Sequence, residues 1–154
     1  MRTLEQWFNE YGVSHQNPTN KAIHYICVPA IYFSVIGMLF CVKITIFNLN
    51  NPILENLAFL VLIFVLGFYF RISALMALKM TLFSVLCLIL NYYISFYIPL
   101  LIFSISIFVL AWIGQFYGHK IEGKKPSFIK DLQFLMIGPA WVIENLFKKN
   151  NYGK

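Results

Sequence analysis

Residues 25–42 read YICVPAIYFSVIGMLFCV, a run without a single charged side chain. A helical residue advances the chain by about 1.5 Å and the hydrocarbon core of a bilayer is about 30 Å thick. The run therefore predicts a helix that crosses a membrane. Three further apolar runs follow it: Ile53 to Phe70, interrupted by Glu55 near its start; Ile72 to Leu90, which carries Lys79; and about Ile98 to Tyr117. Asn48 to Pro52 supply a turn before the second run, and Arg71 marks its end. Asn91-Tyr92-Tyr93 and Pro99 place an aromatic interface and a turn before the fourth. The prediction is an all-α integral membrane bundle of about four transmembrane helices, with residues 1–154 as a single domain.

Composition argues the same way. The chain is 60% hydrophobic and 12% charged, and a soluble domain carries about 25% charged residues, so a soluble globular fold is excluded. The net charge of +6 raises the question of nucleic acid. Seven of the twelve basic residues, however, follow His119: Lys120, Lys124, Lys125, Lys130, Lys148, Lys149 and Lys154. Such a cluster beyond a span end is an orientation signal and suits anionic membrane lipid, so no nucleic-acid partner is expected. With Arg2 and Lys21 before the first span, an even number of spans puts both termini in the cytosol. The Asn-, Lys- and Ile-rich flavour and short tails point to a bacterial inner membrane in preference to the endoplasmic reticulum.

The flanks complete the architecture. Leu4, Trp7, Phe8 and Tyr11 recur at helical spacing opposite Glu5, Gln6, Asn9 and Glu10, which predicts a short interfacial helix over residues 3–12. Met1 to Lys21 lack the order of a secretory signal, so the first span is expected to stay in the mature protein. Asn17-Pro18 reads as a cap and first helical residue. Ser127 to Phe147 contain Lys130, Asp131, Gly138-Pro139 and Glu144, too many interruptions for a span. That stretch is expected to form an interfacial or re-entrant helical segment, as a pair of helices. Cys27, Cys41 and Cys87 show no paired spacing and read as core or lipid-facing residues.

The histidines carry the chemical signal. His15, His24 and His119 all fall at the cytosolic ends of the first and fourth spans. Imidazole is the commonest transition-metal ligand, and three of them leave positions open on an octahedral ion. Histidine also suits an interface, and that plainer reading stays open. Asn20 stands four residues before His24, and Glu122 three after His119. With Gln115, these are candidates to orient the rings. Gly114 and Gly118 form a G-x-x-x-G pair that would let the helix bearing His119 approach the one bearing His24. Lys120 or Lys21 could hold an anionic head group. The sequence has no G-x-S-x-G, phosphate-binding glycine loop or H-E-x-x-H.

At these residues a family resemblance emerges. His15-Gln16-Asn17-Pro18-Thr19-Asn20 with Ile23-His24 and Val28-Pro29 resembles the N-terminal signature of the Mpo1-like family. Gly114-Gln115-Phe116-Tyr117-Gly118-His119 with Glu122, Pro126, Asp131-Leu132 and Gly138-Pro139 resembles its second motif and continuation. In the fungal branch the glutamate and proline stand one residue farther from the histidine, and Ser127 occupies a place where alanine is common. The resemblance implies an iron(II)-dependent dioxygenase that converts 2-hydroxy long-chain fatty acids and O₂ into acids one carbon shorter. It implies that His15, His24 and His119 bind Fe(II), leaving positions for the substrate's 2-hydroxyl and carboxylate and for O₂. Two other classes remain open: a small membrane carrier or lipid-binding protein, for which Lys79 and Glu55 would matter, and a metal-dependent lipid hydrolase.

Overall fold

The structure, a computed structural model, describes residues 3–44, 51–123 and 128–151. Residues 48–50 of the expected turn, and Lys124, Lys125, Pro126 and Ser127, lie outside the described residues. The described residues form six helices: α1 Leu4–Gly12, α2 Pro18–Phe40, α3 Leu57–Ile72, α4 Ala74–Ile94, α5 Leu100–Glu122 and α6 Phe128–Asn151. No strand occurs among them, and Lys43 and Asn56 form an isolated bridge.

A helix stands at each of the four apolar runs. Three of these, α2, α4 and α5, are long and apolar enough to cross a membrane. At 23 residues, α2 and α5 are roughly 34 Å long. The fourth, α3, is equally apolar, but its 16 residues reach roughly 24 Å. The helix pair expected after Pro126 is instead one helix of 24 residues with Pro139 inside it. Gly138 marks a close-packing point there, because a Cβ at that position would meet Tyr11 Oη and Val28 Cγ1 at 3.2 Å.

Contacts divide the chain into two compact units. The first comprises Met1–Ala30 and Leu110–Lys154. Within it, α1 is opened by a capping box in which Thr3 and Gln6 satisfy each other's backbone N–H groups, and α1 packs on α6. The start of α2 and the end of α5 meet at glycines. A Cβ on Gly114 would lie 2.6 Å from Cys27 Sγ, and one on Gly118 would overlap Asn20 Oδ1 and come within 3.3 Å of the His24 ring. The absence of side chains is what lets the backbones approach.

The second unit, Ile31–Val109, contains α3 and α4 packed together. They are joined by Ser73 alone, in extended conformation. Its N–H donates to Tyr69 O at the end of α3, and its Oγ accepts from Met76 N at the start of α4. Tyr69, Met76, Ala77 and Met80 are buried between helices, while Phe64, Phe70, Leu75 and Leu82 face outward. An apolar exterior of this kind is what hydrocarbon favours. Some polar groups inside are matched: Tyr32 Oη lies 2.7 Å from Ser84 Oγ, and Asn91 Nδ2 donates to Cys87 O at 2.9 Å. Ser84 Oγ spends its one hydrogen on Met80 O, so the Tyr32 hydroxyl is the donor of that pair.

Candidate functional site

Local folding brings His15 back onto α1. After Gly12 the chain turns tightly, with Ser14 N–H donating to Tyr11 O and His15 N–H to Gly12 O. The His15 ring then stacks on Tyr11 at 4.2 Å between centroids, with 12° between planes. Its Nδ1 is 2.7 Å from the Tyr11 carbonyl oxygen. A carbonyl can only accept, so Nδ1 carries the hydrogen and Nε2 presents a lone pair. The same logic fixes His24, whose Nδ1 lies 2.9 Å from Asn20 O. His24 Nε2 is buried and has no hydrogen-bond partner among the described residues.

The third imidazole arrives from the far end of α5. His119 lies with its ring centroid 5.5 Å from that of His15 and 5.0 Å from that of His24, and the latter two are 4.3 Å apart. One ring nitrogen from each falls within 4.8 Å of the others. All three side chains are buried, at 3%, 0% and 6% exposure. Three buried imidazoles converging in a dry place, two of them oriented by a carbonyl on one ring nitrogen, make the donor arrangement of a transition-metal site. The residues fit an iron or zinc ion.

Asn20 is fully buried and donates Nδ2–H to Ser14 O at 3.2 Å and to Glu122 Oε2 at 2.9 Å, while its main-chain carbonyl orients His24. Glu122 accepts from Gln16 N–H at 2.7 Å through Oε1, and from Asn17 N–H at 3.0 Å through Oε2. Gln115 is buried one turn before His119 on α5, and Lys120 is exposed. Of the residues named for a carrier, Glu55 precedes α3 and Lys79 lies inside α4, both half-buried and both in the second unit.

Two aromatic residues of the site escaped the sequence reading. Tyr11 supplies both the stacking face and the orienting carbonyl for His15. The signal was its spacing, four residues before the histidine, as Asn20 is before His24. Trp141, on α6, lies 5.2 Å from the Tyr11 ring, 5.7 Å from His15 and 6.0 Å from Tyr25. It also borders a cavity of about 430 Å³ lined by Phe8, Gly12, Gln16, Glu144 and Asn145.

Comparison with known proteins gives two matches. A family profile described as "2-hydroxy-palmitic acid dioxygenase Mpo1-like" matches residues 1–150. The 2-hydroxy-palmitic acid dioxygenase MPO1 of Saccharomyces cerevisiae is 35% identical over 143 residues, which cover 90% of this chain and 76% of the yeast protein. No solved structure matches.

Proposed function

The chain belongs to the Mpo1-like family, and from that premise we propose that it is an Fe(II)-dependent dioxygenase that shortens 2-hydroxy long-chain fatty acids by one carbon. The observation that supports this most is the convergence of three buried imidazoles from distant parts of the chain. The reaction balances as R–CH(OH)–COOH + O₂ → R–COOH + CO₂ + H₂O. The bond between C1 and C2 breaks, C2 is oxidised to the new carboxyl group and C1 leaves as CO₂; the two carbons together give up the four electrons that reduce O₂.

His15, His24 and His119 would hold the ion, His15 and His24 through Nε2. Bound Fe(II) would supply the electron transfer between acid and O₂ that no protein side chain can provide. The chain's own contribution is orientation and dryness. The carbonyls of Tyr11 and Asn20 fix the tautomers, and the burial of all three rings keeps bulk water away. Lys120, exposed one residue beyond His119, draws the substrate carboxylate toward the cluster, while the acyl tail lodges among the apolar helices. The basic residues around the two chain ends favour the cytosolic rim of the membrane for this site.

The test starts with anaerobic purification and measurement of iron against zinc, in the wild type and in His24→Ala. Iron in the wild type and its loss in the variant are expected, followed by uptake of one O₂ per 2-hydroxyhexadecanoic acid shortened. Zinc together with ester hydrolysis would replace this reading with a lipid hydrolase. A protein that binds no metal would replace it with a carrier.

A further inference from the structure

The bonds of Glu122 reach well beyond its own helix. Oε1 is taken by the N–H of Gln16, and Oε2 by the N–H of Asn17 and the Nδ2–H of Asn20. Both oxygens thus face donors of the protein, and none of these bonds goes to an imidazole. The two main-chain donors directly follow His15 and sit just ahead of Pro18, the first residue of α2. A helix N-terminus has unpaired N–H groups and favours a negative charge. Asn17 Oδ1 serves the N–H groups of Thr19 and Asn20 there, Pro18 has none, and Glu122 serves the remaining one, that of Asn17, together with the N–H of Gln16 just before the helix. Glu122 is also the last residue of α5, which stops at Gly123 with φ of 71°.

We infer that Glu122 is a positioning residue whose carboxylate ties the turn after His15 and the start of α2 to the end of α5, so that the three imidazoles keep a common centre. His15 is one residue from the first donor. Asn20, the third donor, orients His24 through its carbonyl, and His119 is one helical turn before the clamp. One side chain therefore fixes all three ligand-bearing stretches. The clamp itself is independent of any metal, and its effect on the metal rests on the function proposed above.

The test uses the full-length protein in detergent micelles, with two readouts. Hydrogen–deuterium exchange at the amides of residues 16 and 17, measured without metal, reads the clamp. Titration with Co(II), followed by its visible absorption, reads the centre. In Glu122→Ala both amides are expected to lose protection, and the Co(II) Kd is expected to rise about 10- to 100-fold, the usual effect of removing a group that supports metal ligands. Glu122→Gln keeps the shape and one acceptor oxygen, and should fall between. Tyr32→Phe, which removes a buried hydrogen bond in the other unit, should change neither readout, separating positioning from general loss of stability. Unchanged exchange in both Glu122 variants overturns the clamp. Faster exchange with unchanged Co(II) affinity overturns the positioning role. A wild type that binds no Co(II) counts against the metal centre and the positioning role together, while exchange still decides the clamp.

Discussion

Replacing Gly118 with alanine puts the packing argument to its sharpest test. A Cβ there would overlap Asn20 Oδ1 and stand 3.3 and 3.4 Å from Cε1 and Nδ1 of His24. Asn20 cannot turn aside cheaply, because its Nδ2 is tied to Ser14 O and to Glu122, and the residue is wholly buried. Either α5 retreats or the Asn20 bonds break. Overpacking of this kind costs about 1–3 kcal/mol, against which alanine regains about 1 kcal/mol of helix propensity. Gly67, inside α3, is the natural control, since a Cβ there meets nothing within 4 Å. Gly67→Ala should keep the propensity gain alone. The difference between the two variants in reversible unfolding from detergent should therefore be the overpacking itself, about 1–3 kcal/mol. Metal affinity should fall in Gly118→Ala and hold in Gly67→Ala. Two variants of equal stability and equal metal affinity would refute the claim that α2 and α5 meet through glycine at the histidine cluster.

Two further outcomes are expected. Tyr32→Phe should lose about 0.5–1.5 kcal/mol of stability, because Ser84 keeps its bond to Met80 O but loses its buried donor; calorimetry would show it, and O₂ uptake should be unchanged. Stripping the metal with a chelator should abolish O₂ uptake, with activity restored by Fe(II) and not by Zn(II). Metal at a hundred times its Kd should stabilise the wild type by about 2.7 kcal/mol, and should leave the melting of His24→Ala unmoved.

Much of this architecture was legible from hydropathy, though with shifted edges. The start of α2 at Pro18 was readable from the Asn17-Pro18 cap, whereas hydropathy marks the same helix only from Tyr25. Hydropathy registers contact with lipid, and the first turns of α2 carry Asn20 and His24 because they face protein. The same holds at the other end of α5, where Gly118, His119 and Glu122 extend the helix past the apolar run. The charges and Gly138-Pro139 of α6 suggested a break, but the helix runs through the proline and uses the glycine as a seat for Tyr11. Grouping the three histidines was possible because parity of spans placed them on one face. Their orienting partners were not readable in that way. Main-chain carbonyls perform that task for His15 and His24, and every residue has one, so composition offers no mark. Glu122 was visible as a neighbour of His119, but its partners lie 102 to 106 positions away in sequence.

The order in which the chain is made gives the cluster a further property. Tyr11, His15 and His24 are synthesised early, and His119 and Trp141 late, with α3 and α4 wholly in between. A ribosome that stops after α4 and before His119 releases a product with apolar helices fit for insertion and two stranded imidazoles. A frameshift or early stop codon between the end of α4 and His119 thus separates the apolar helices from the gathering of the three imidazoles.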